Sequence, residues 1–268
     1  MGDMELLDIK TLGEPFGWQR GSGNWQAVND AIARREPIQV IQEVGSTLWQ
    51  THLPEGHSFQ FGFPEIYDTT PSPKARVWIS HIQRRFSPES DFPKVQWHPR
   101  VLWIGMGCER GTSAQTIAEA IAIACRSRHL SEQAIAGIAT IDRKADEVGL
   151  LEFCRDRDLP LRFYSSESLR AIAVPNPNSS VDREVGTPSV SEAAAILTVM
   201  EIDLSLPTSL SYKEREEQEN ISPSPLRRGV GERSNCLLIP KQIFKQPNQK
   251  GSVTVAIALA TREYIKRA

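Results

Sequence analysis

Residues 101–127, VLWIGMGCERGTSAQTIAEAIAIACRS, decide how this chain is read. The opening VLWIG is a short apolar run rich enough in β-formers to be a strand buried on both faces. From Thr112 to Ser127 apolar residues recur at helical spacing, so a helix follows. Between them Gly105 and Gly107 let the backbone turn sharply. A strand, a Gly-x-Gly turn and a helix are the opening unit of an α/β layer fold. The turn departs from a dinucleotide site, which needs a third glycine for close helix–strand packing, because Arg110 stands in that place. The acidic residue that would hold a ribose about 20 residues further on is also missing. A nucleotide-binding oxidoreductase therefore ranks last among the readings. What remains is a helix start at Thr112 and Ser113, with free N–H groups and the positive end of the helix dipole beside the Arg110 guanidinium. That combination suits an anion, and a carboxylate best. The bland alternative is a tight turn with Thr112 as an ordinary N-cap.

Downstream the texture stays regular. AIAGIATI (134–141) reads as a second strand, ADEVGLLEFCRDR as a helix, and LRFY as a third strand. A further helix is predicted over Pro188–Met200, with proline in its first turn and Thr187 as its cap. Residues from about 205 to 235 are polar and rich in Pro, Ser and Gly, which predicts a disordered insertion in a surface loop. CLLIPKQIF and SVTVAIALA then supply two strands, joined over 246–251 as an antiparallel hairpin that closes the sheet. The expected architecture for residues 100–268 is a three-layer α/β/α domain around a mixed five-stranded sheet, with helices on both faces.

Residues 1–99 read as a smaller, irregular α/β domain holding five of the chain's six tryptophans. A helix should begin at Trp25, capped by Ser22 or Asn24, and PIQVIQEVGS should follow as a strand. Pro54 to Pro73 reads as loop, Arg76 opens a second strand, and SPESDFPKVQWHP from Ser87 reads as the interdomain connection because it holds three prolines. The 31 basic residues nearly balance the 33 acidic ones and are scattered, so there is no footprint for nucleic acid. The longest apolar run, Val253–Ala260, is too short for a bilayer, and MGDMELLDIK lacks the apolar core of a signal peptide. A soluble cytoplasmic protein is expected, away from membranes. Cys108, Cys125, Cys154 and Cys236 form no C-x-x-C pair and should be reduced thiols. Cys108 at a helix start is either a nucleophile or a small buried residue. His52 and His57 lack zinc spacing and read as surface residues. The tryptophans read as core, or as a flat wall for a ligand.

Two further stretches carry chemistry. TIDRKADEVGLL (140–151) packs charges at the carboxyl end of the second strand, the edge where open α/β sheets bind ligands. Asp142 and Lys144 suit a polar substrate, while Asp146 and Glu147 are either general bases or helix-start acids. REVGTPSVSEAAAIL (183–197) puts Gly186, Thr187, Pro188 and Ser189 at another helix start. In a parallel sheet these helix starts crowd one edge.

Taken together, Gly105, Gly107, Cys108, Arg110, Gly111 and Thr112; Thr140 to Asp142 with Lys144 to Glu147; Val185 to Val190 with Glu192 to Ala195; and Pro240 with Lys241 resemble the CbiG family of cobalamin biosynthesis. That family comprises the cobalt-precorrin-5A hydrolases, whose C-terminal domain is matched by the stand-alone CobE proteins. The resemblance covers about residues 101–260, and GEPFGWQRGSGNW with EPIQVIQEVGS resembles the family's central domain. It implies a further N-terminal domain, most of which would lie ahead of residue 1, and no counterpart for the polar insertion. The implied substrate is a cobalt-bearing tetrapyrrole fringed with carboxylates, whose ring-A lactone is opened by water with release of acetaldehyde. Cobalt would arrive within the substrate, so neither a cofactor nor a protein-bound metal is expected. Glu147, then Asp142, would be the base. Gly105, Gly107, Arg110, Gly111, Thr112, Ser113, Lys144, Asp146, Gly186, Thr187, Ser189 and Lys241 would bind substrate, with N–H groups at Gly111–Ser113 or Thr187–Ser189 facing the lactone oxyanion. A separate N-terminal-domain chain or a precorrin methyltransferase would be the partner. The competing reading is a non-catalytic tetrapyrrole carrier of the same pathway.

Overall fold

A computed structural model describes residues 7–63, 71–87, 90–204, 236–245 and 251–265. The chain divides into two compact units, one drawn from residues up to Arg100 together with the stretch from Arg262, the other spanning Val101–Thr261. The predicted insertion at 205–235 lies outside the described residues.

In the first unit the order is β1 (Gln19–Gly23), α1 (Trp25–Ala33), β2 (Ile38–Gln42), β3 (Phe59–Phe61), β4 (Ala75–Ile79) and β5 (Lys94–His98), in a sheet ordered β1-β5-β4-β2-β3. Asn24 rather than Ser22 caps α1, its Oδ1 accepting the Ala27 N–H at 3.0 Å. The α1 stripe Val28, Ala31 and Ile32 packs with Ile38, Val40, Val77, Ile79, Val95 and Trp97 in one core, which also buries Trp18 and Trp49. These tryptophans are core and form no ligand wall. The segment expected to connect domains instead contains β5, paired with β4 and β1. Buried Gln96 and His98 interrupt its apolar pattern and hide the strand from periodicity. The region expected as loop likewise contains β3. Residues after Arg262, expected in the second domain, join this unit because the Glu263 carboxylate accepts Trp18 Nε1–H at 3.2 Å and the Ser46 N–H at 2.9 Å.

The second unit runs β6 (Leu102–Cys108), α2 (Ala114–Ser127), β7 (Ile135–Ile141), α3 (Val148–Asp156), β8 (Leu161–Tyr164), α4 (Ser166–Arg170), α5 (Ser179–Val185), α6 (Val190–Leu204), β9 (Leu237–Lys245) and β10 (Ser252–Leu259). Its sheet is ordered β8-β7-β6-β10-β9, with β6, β7 and β8 parallel and β10 antiparallel to both neighbours, the expected mixed five-stranded sheet. Ser113, not Thr112, caps α2, its Oγ accepting the Thr116 N–H at 3.1 Å. The predicted 188–200 helix starts at Val190, because the Ser189 carbonyl accepts the Ala193 N–H, so Thr187 is not its cap. The short helices α4 and α5 had no periodic signal.

Helix α6 lies over β6, β7 and β10. Gly105 is what lets it seat there: a Cβ at that position would lie 1.7 Å from the Ser191 carbonyl oxygen and 2.7 Å from the Ala195 nitrogen. Both obstacles are backbone and cannot swing aside. Gly105→Ala is expected to cost the second unit about 3 kcal/mol, the upper end for overpacking. At Gly107 the nearest atom to a Cβ is the Thr254 hydroxyl at 2.5 Å, a side-chain tip that can turn away. Urea melts of the two alanine variants should therefore differ clearly, and equal midpoints would refute the argument.

Candidate active site

The carboxyl ends of β6 and β7 carry the first two motifs, and the fold locks them together. Thr140 Oγ1 donates to the Met106 carbonyl at 2.7 Å between the strands. Beyond β6, Arg110 Nη1 reaches both oxygens of Asp146 at 2.8 Å, and Nη2 donates to the Arg143 carbonyl at 3.2 Å. This pair is exposed, and the guanidinium holds the Asp146 carboxyl below its ordinary range. Beneath it Glu147 is 4 % exposed, its Oε1 accepting the Gly111 N–H at 2.7 Å and its Oε2 facing Lys144 Nζ at 3.3 Å. The start of α3 presses on the turn so closely that a Cβ at Gly149 would lie 2.1 Å from the Thr112 carbonyl oxygen.

Two expectations change here. Both Glu147 oxygens are engaged, so this residue straps the turn, whereas Asp142 is exposed at the head of the 3-10 turn Asp142–Lys144. The Gly111 N–H is taken by Glu147, and Thr112 Oγ1 donates to the Glu109 carbonyl at 2.8 Å, so neither group points at a ligand. Removing Glu147 would take the acceptor from the Gly111 N–H and leave the largely covered Lys144 ammonium without its counter-charge. Glu147→Ala is expected to destabilise the second unit by about 3 kcal/mol, the lower end for breaking a buried pair. A denaturation midpoint within error of the parent would contradict that role.

The third and fourth motifs meet at the start of α6. Arg143 Nη1 donates to the Glu184 carbonyl at 3.2 Å, drawing the end of α5 toward the second motif; Gly186 then turns the chain in the left-handed region, at φ 83°. Thr187, Ser189 and Ser191 follow, all buried, and their hydroxyls have no hydrogen-bond partner among the described residues. Three such groups in five residues call for a reason, since buried polar atoms are almost always paired. Glu192 is fully buried: Oε1 accepts Asn176 Nδ2–H at 2.7 Å and the Lys241 N–H at 3.0 Å, and Oε2 accepts the Asn176 N–H at 3.2 Å. Lys241 Nζ donates to the Asn176 carbonyl at 2.9 Å. Sequence reasoning assigned Glu192 and Asn176 no role. The available signal was a lone acid before three alanines on an otherwise apolar helix.

Burial pushes the Cys108 thiol up to about 11 against the pull of Lys144, which disfavours the thiolate that a nucleophile needs. Cys125 and Cys154 rise to about 12 for the same reason. His57 is exposed, its Nδ1 accepting the Phe59 N–H at 3.1 Å. Among the described residues no group of three or more His, Cys, Asp or Glu is arranged to hold a metal ion, and no helix is long and apolar enough to cross a membrane.

A mixed sheet whose parallel strands end in cations, helix starts and buried hydroxyls defines an α/β protein with a polar carboxyl edge. The family model described as cobalamin synthesis G C-terminus matches residues 102–258, and that of the cobalamin biosynthesis central region matches residues 8–99. The chain belongs to this cobalamin biosynthesis G family. It is 30% identical over 198 residues to the cobalt-precorrin-5A hydrolase of Priestia megaterium, covering 72% of this chain and 52% of that protein. To the cobalt-precorrin-5A hydrolase of Salmonella typhimurium it is 28% identical over 152 residues, 56% of this chain and 43% of the relative. Protein CobE of a Sinorhizobium species is 33% identical over 103 residues, 36% of this chain and 64% of that protein. The chain thus spans about half the length of the curated hydrolases it matches.

Proposed function

We propose that the chain acts in cobalamin biosynthesis as a cobalt-precorrin-5A hydrolase, opening the ring-A lactone with water to give cobalt-precorrin-5B and acetaldehyde. The observation that carries this reading is the convergence of the four family motifs in the second unit, with three hydroxyls at the start of α6 that have no partner among the described residues. Arg110, Lys144 and Lys241 grip the carboxylates of the macrocycle. Each is now bonded within the protein, and the exposed Arg110–Asp146 pair exchanges most readily because exposed ion pairs contribute little. Thr187, Ser189 and Ser191 supply donors for the oxyanion that forms when the lactone carbonyl is attacked. Asp142, whose carboxylate is exposed, takes the proton from the attacking water. Glu147, Gly105, Gly107, Gly111, Thr112 and Ser113 shape the edge. Gly186 turns the chain into it. Cobalt enters as part of the substrate, and the reaction takes place in the cytoplasm.

Because the chain covers about half of its hydrolase relatives, a carrier that binds the intermediate without turning it over is the second reading. A separate chain supplying the N-terminal domain, or a precorrin methyltransferase, would then be the partner. Incubation with cobalt-precorrin-5A and an enzymatic assay for acetaldehyde separates the two. Stoichiometric release supports the hydrolase, and binding without release supports the carrier.

A further inference from the structure

The first unit holds a polar cluster that the proposed reaction does not use. β2, β4 and β5 run parallel, so Glu43, Ser80, His81 and His98 gather at one edge of that sheet. The Glu43 carboxylate accepts the Ser80 hydroxyl on one oxygen and Arg84 Nη2–H at 2.6 Å on the other. Arg84 lies 3.8 Å above the Trp78 ring centroid, and its backbone is held by Gln96, which accepts its N–H at 3.1 Å and donates to its carbonyl at 2.8 Å. The guanidinium is therefore held by Glu43 and Trp78, and the backbone behind it by Gln96. Yet its Nη1 is buried without a hydrogen-bond partner among the described residues, and so is Nδ1 of His81, a residue 5 % exposed.

The two histidines differ. His98 must donate its Nδ1–H to the Ser80 carbonyl at 2.7 Å, since a carbonyl only accepts, and the other ring nitrogen is left as a lone pair. Gly21 closes over that nitrogen, for a Cβ on Gly21 would lie 2.5 Å from it. Among the described residues nothing holds His81 Nδ1, so this ring can carry its proton there. Burial, with Arg84 and His98 adding to it and Glu43 opposing, brings the His81 pKa down to about 4 and keeps the ring neutral at pH 7. Along the same sheet face, opposite the core side chains Val77 and Val95, β4 and β5 set Arg76 beside Lys94 and Trp78 beside Gln96. Arg76 lies over the Trp78 and Phe92 rings at 5.6 and 5.4 Å, and Lys94 lies over Phe92 at 5.6 Å. Arg76, Arg84 and Lys94 share the face with Glu43.

We infer that this edge is an anion site of the first unit, which takes the carboxylate of a ligand between Arg84 Nη1 and His81 Nδ1. Two stranded donors match the two oxygens of one carboxylate, and pairing them removes the cost of leaving each buried and unbonded. Glu43 already offsets part of the Arg84 charge, which favours a singly charged group over a doubly charged phosphate.

The full chain, 15N-labelled, tests this by long-range 1H–15N spectra of the imidazole nitrogens at pH 7 during titration with succinate, the His81 signals being assigned with His81→Gln. The His81 nitrogens should move saturably while His98 stays in place under its glycine, and sodium chloride at equal ionic strength should move neither. Arg84→Gln should weaken the response about tenfold, the loss of one charged hydrogen bond. A parallel titration with inorganic phosphate should respond more weakly than succinate. No His81 movement with succinate in the parent, equal movement in Arg84→Gln, or a stronger response to phosphate would each overturn the assignment. The parent titration decides the matter even if the variant fails to fold.

Discussion

Asp142→Asn should lower acetaldehyde release from cobalt-precorrin-5A by about two to four orders of magnitude, the usual contribution of a positioned general base. Asp142 opens the 3-10 turn directly after β7, exposed, at the edge shared with the turn after β6. Its carbonyl accepts the Ala145 N–H at 3.0 Å, a bond that asparagine keeps, so the turn survives the change. An exposed, nearly isosteric substitution of this kind usually alters stability by less than about 0.5 kcal/mol. The loss should therefore fall in kcat with KM nearly unchanged, the signature of an interaction that matters only in the transition state. The Glu147 strap gives the contrast: its removal should lower the melting midpoint first, and activity only as structure is lost. Parental turnover in the Asp142→Asn variant would remove Asp142 from the reaction and reopen the search for the base.

The second unit could be read from its residues because its parallel strands are apolar runs. The Leu102–Cys108 and Ile135–Ile141 strands are buried over nearly their full length and stand out without any partner in view. In the first unit one sheet face carries Arg76, Trp78, Lys94, Gln96 and His98, so β5 alternates core residues with polar ones and reads locally as a linker. At the candidate site the motifs named the participants but not their bonds. Nothing local says that the Gly111 N–H is taken by a carboxylate 36 residues on, or that the Glu43–Arg84 pair spans 41. Such contacts come from topology, which brings strand ends together whatever their separation in the chain. Caps moved by one or two residues, from Thr112 to Ser113 and from Thr187 to Ser189, because several adjacent residues in each stretch can cap equally well.

Glu192→Ala should destabilise the second unit by about 3 kcal/mol. The side chain is fully buried in the first turn of α6 and accepts from three donors, Asn176 Nδ2, the Asn176 N–H and the Lys241 N–H. Alanine takes this acceptor from all three; Asn176 is exposed and Lys241 half-buried, so water replaces part of each bond and each loss costs about 1 kcal/mol, the low end for an orphaned donor. For a unit of this size the melting temperature should fall by roughly 10 °C. Glu192→Gln separates hydrogen bonding from shape, because the amide keeps the volume and one acceptor while its NH2 turns donor against donor at the other oxygen. It should lie between parent and alanine. The same carboxylate holds the fourth motif against the third, so Lys241 should lose its placement, and affinity for an anionic substrate should weaken even in the glutamine variant. If both variants melt within about 1 kcal/mol of the parent, the ladder through Asn176 and Lys241 is not what joins β9 to α6, and the case for Lys241 as a substrate grip falls with it.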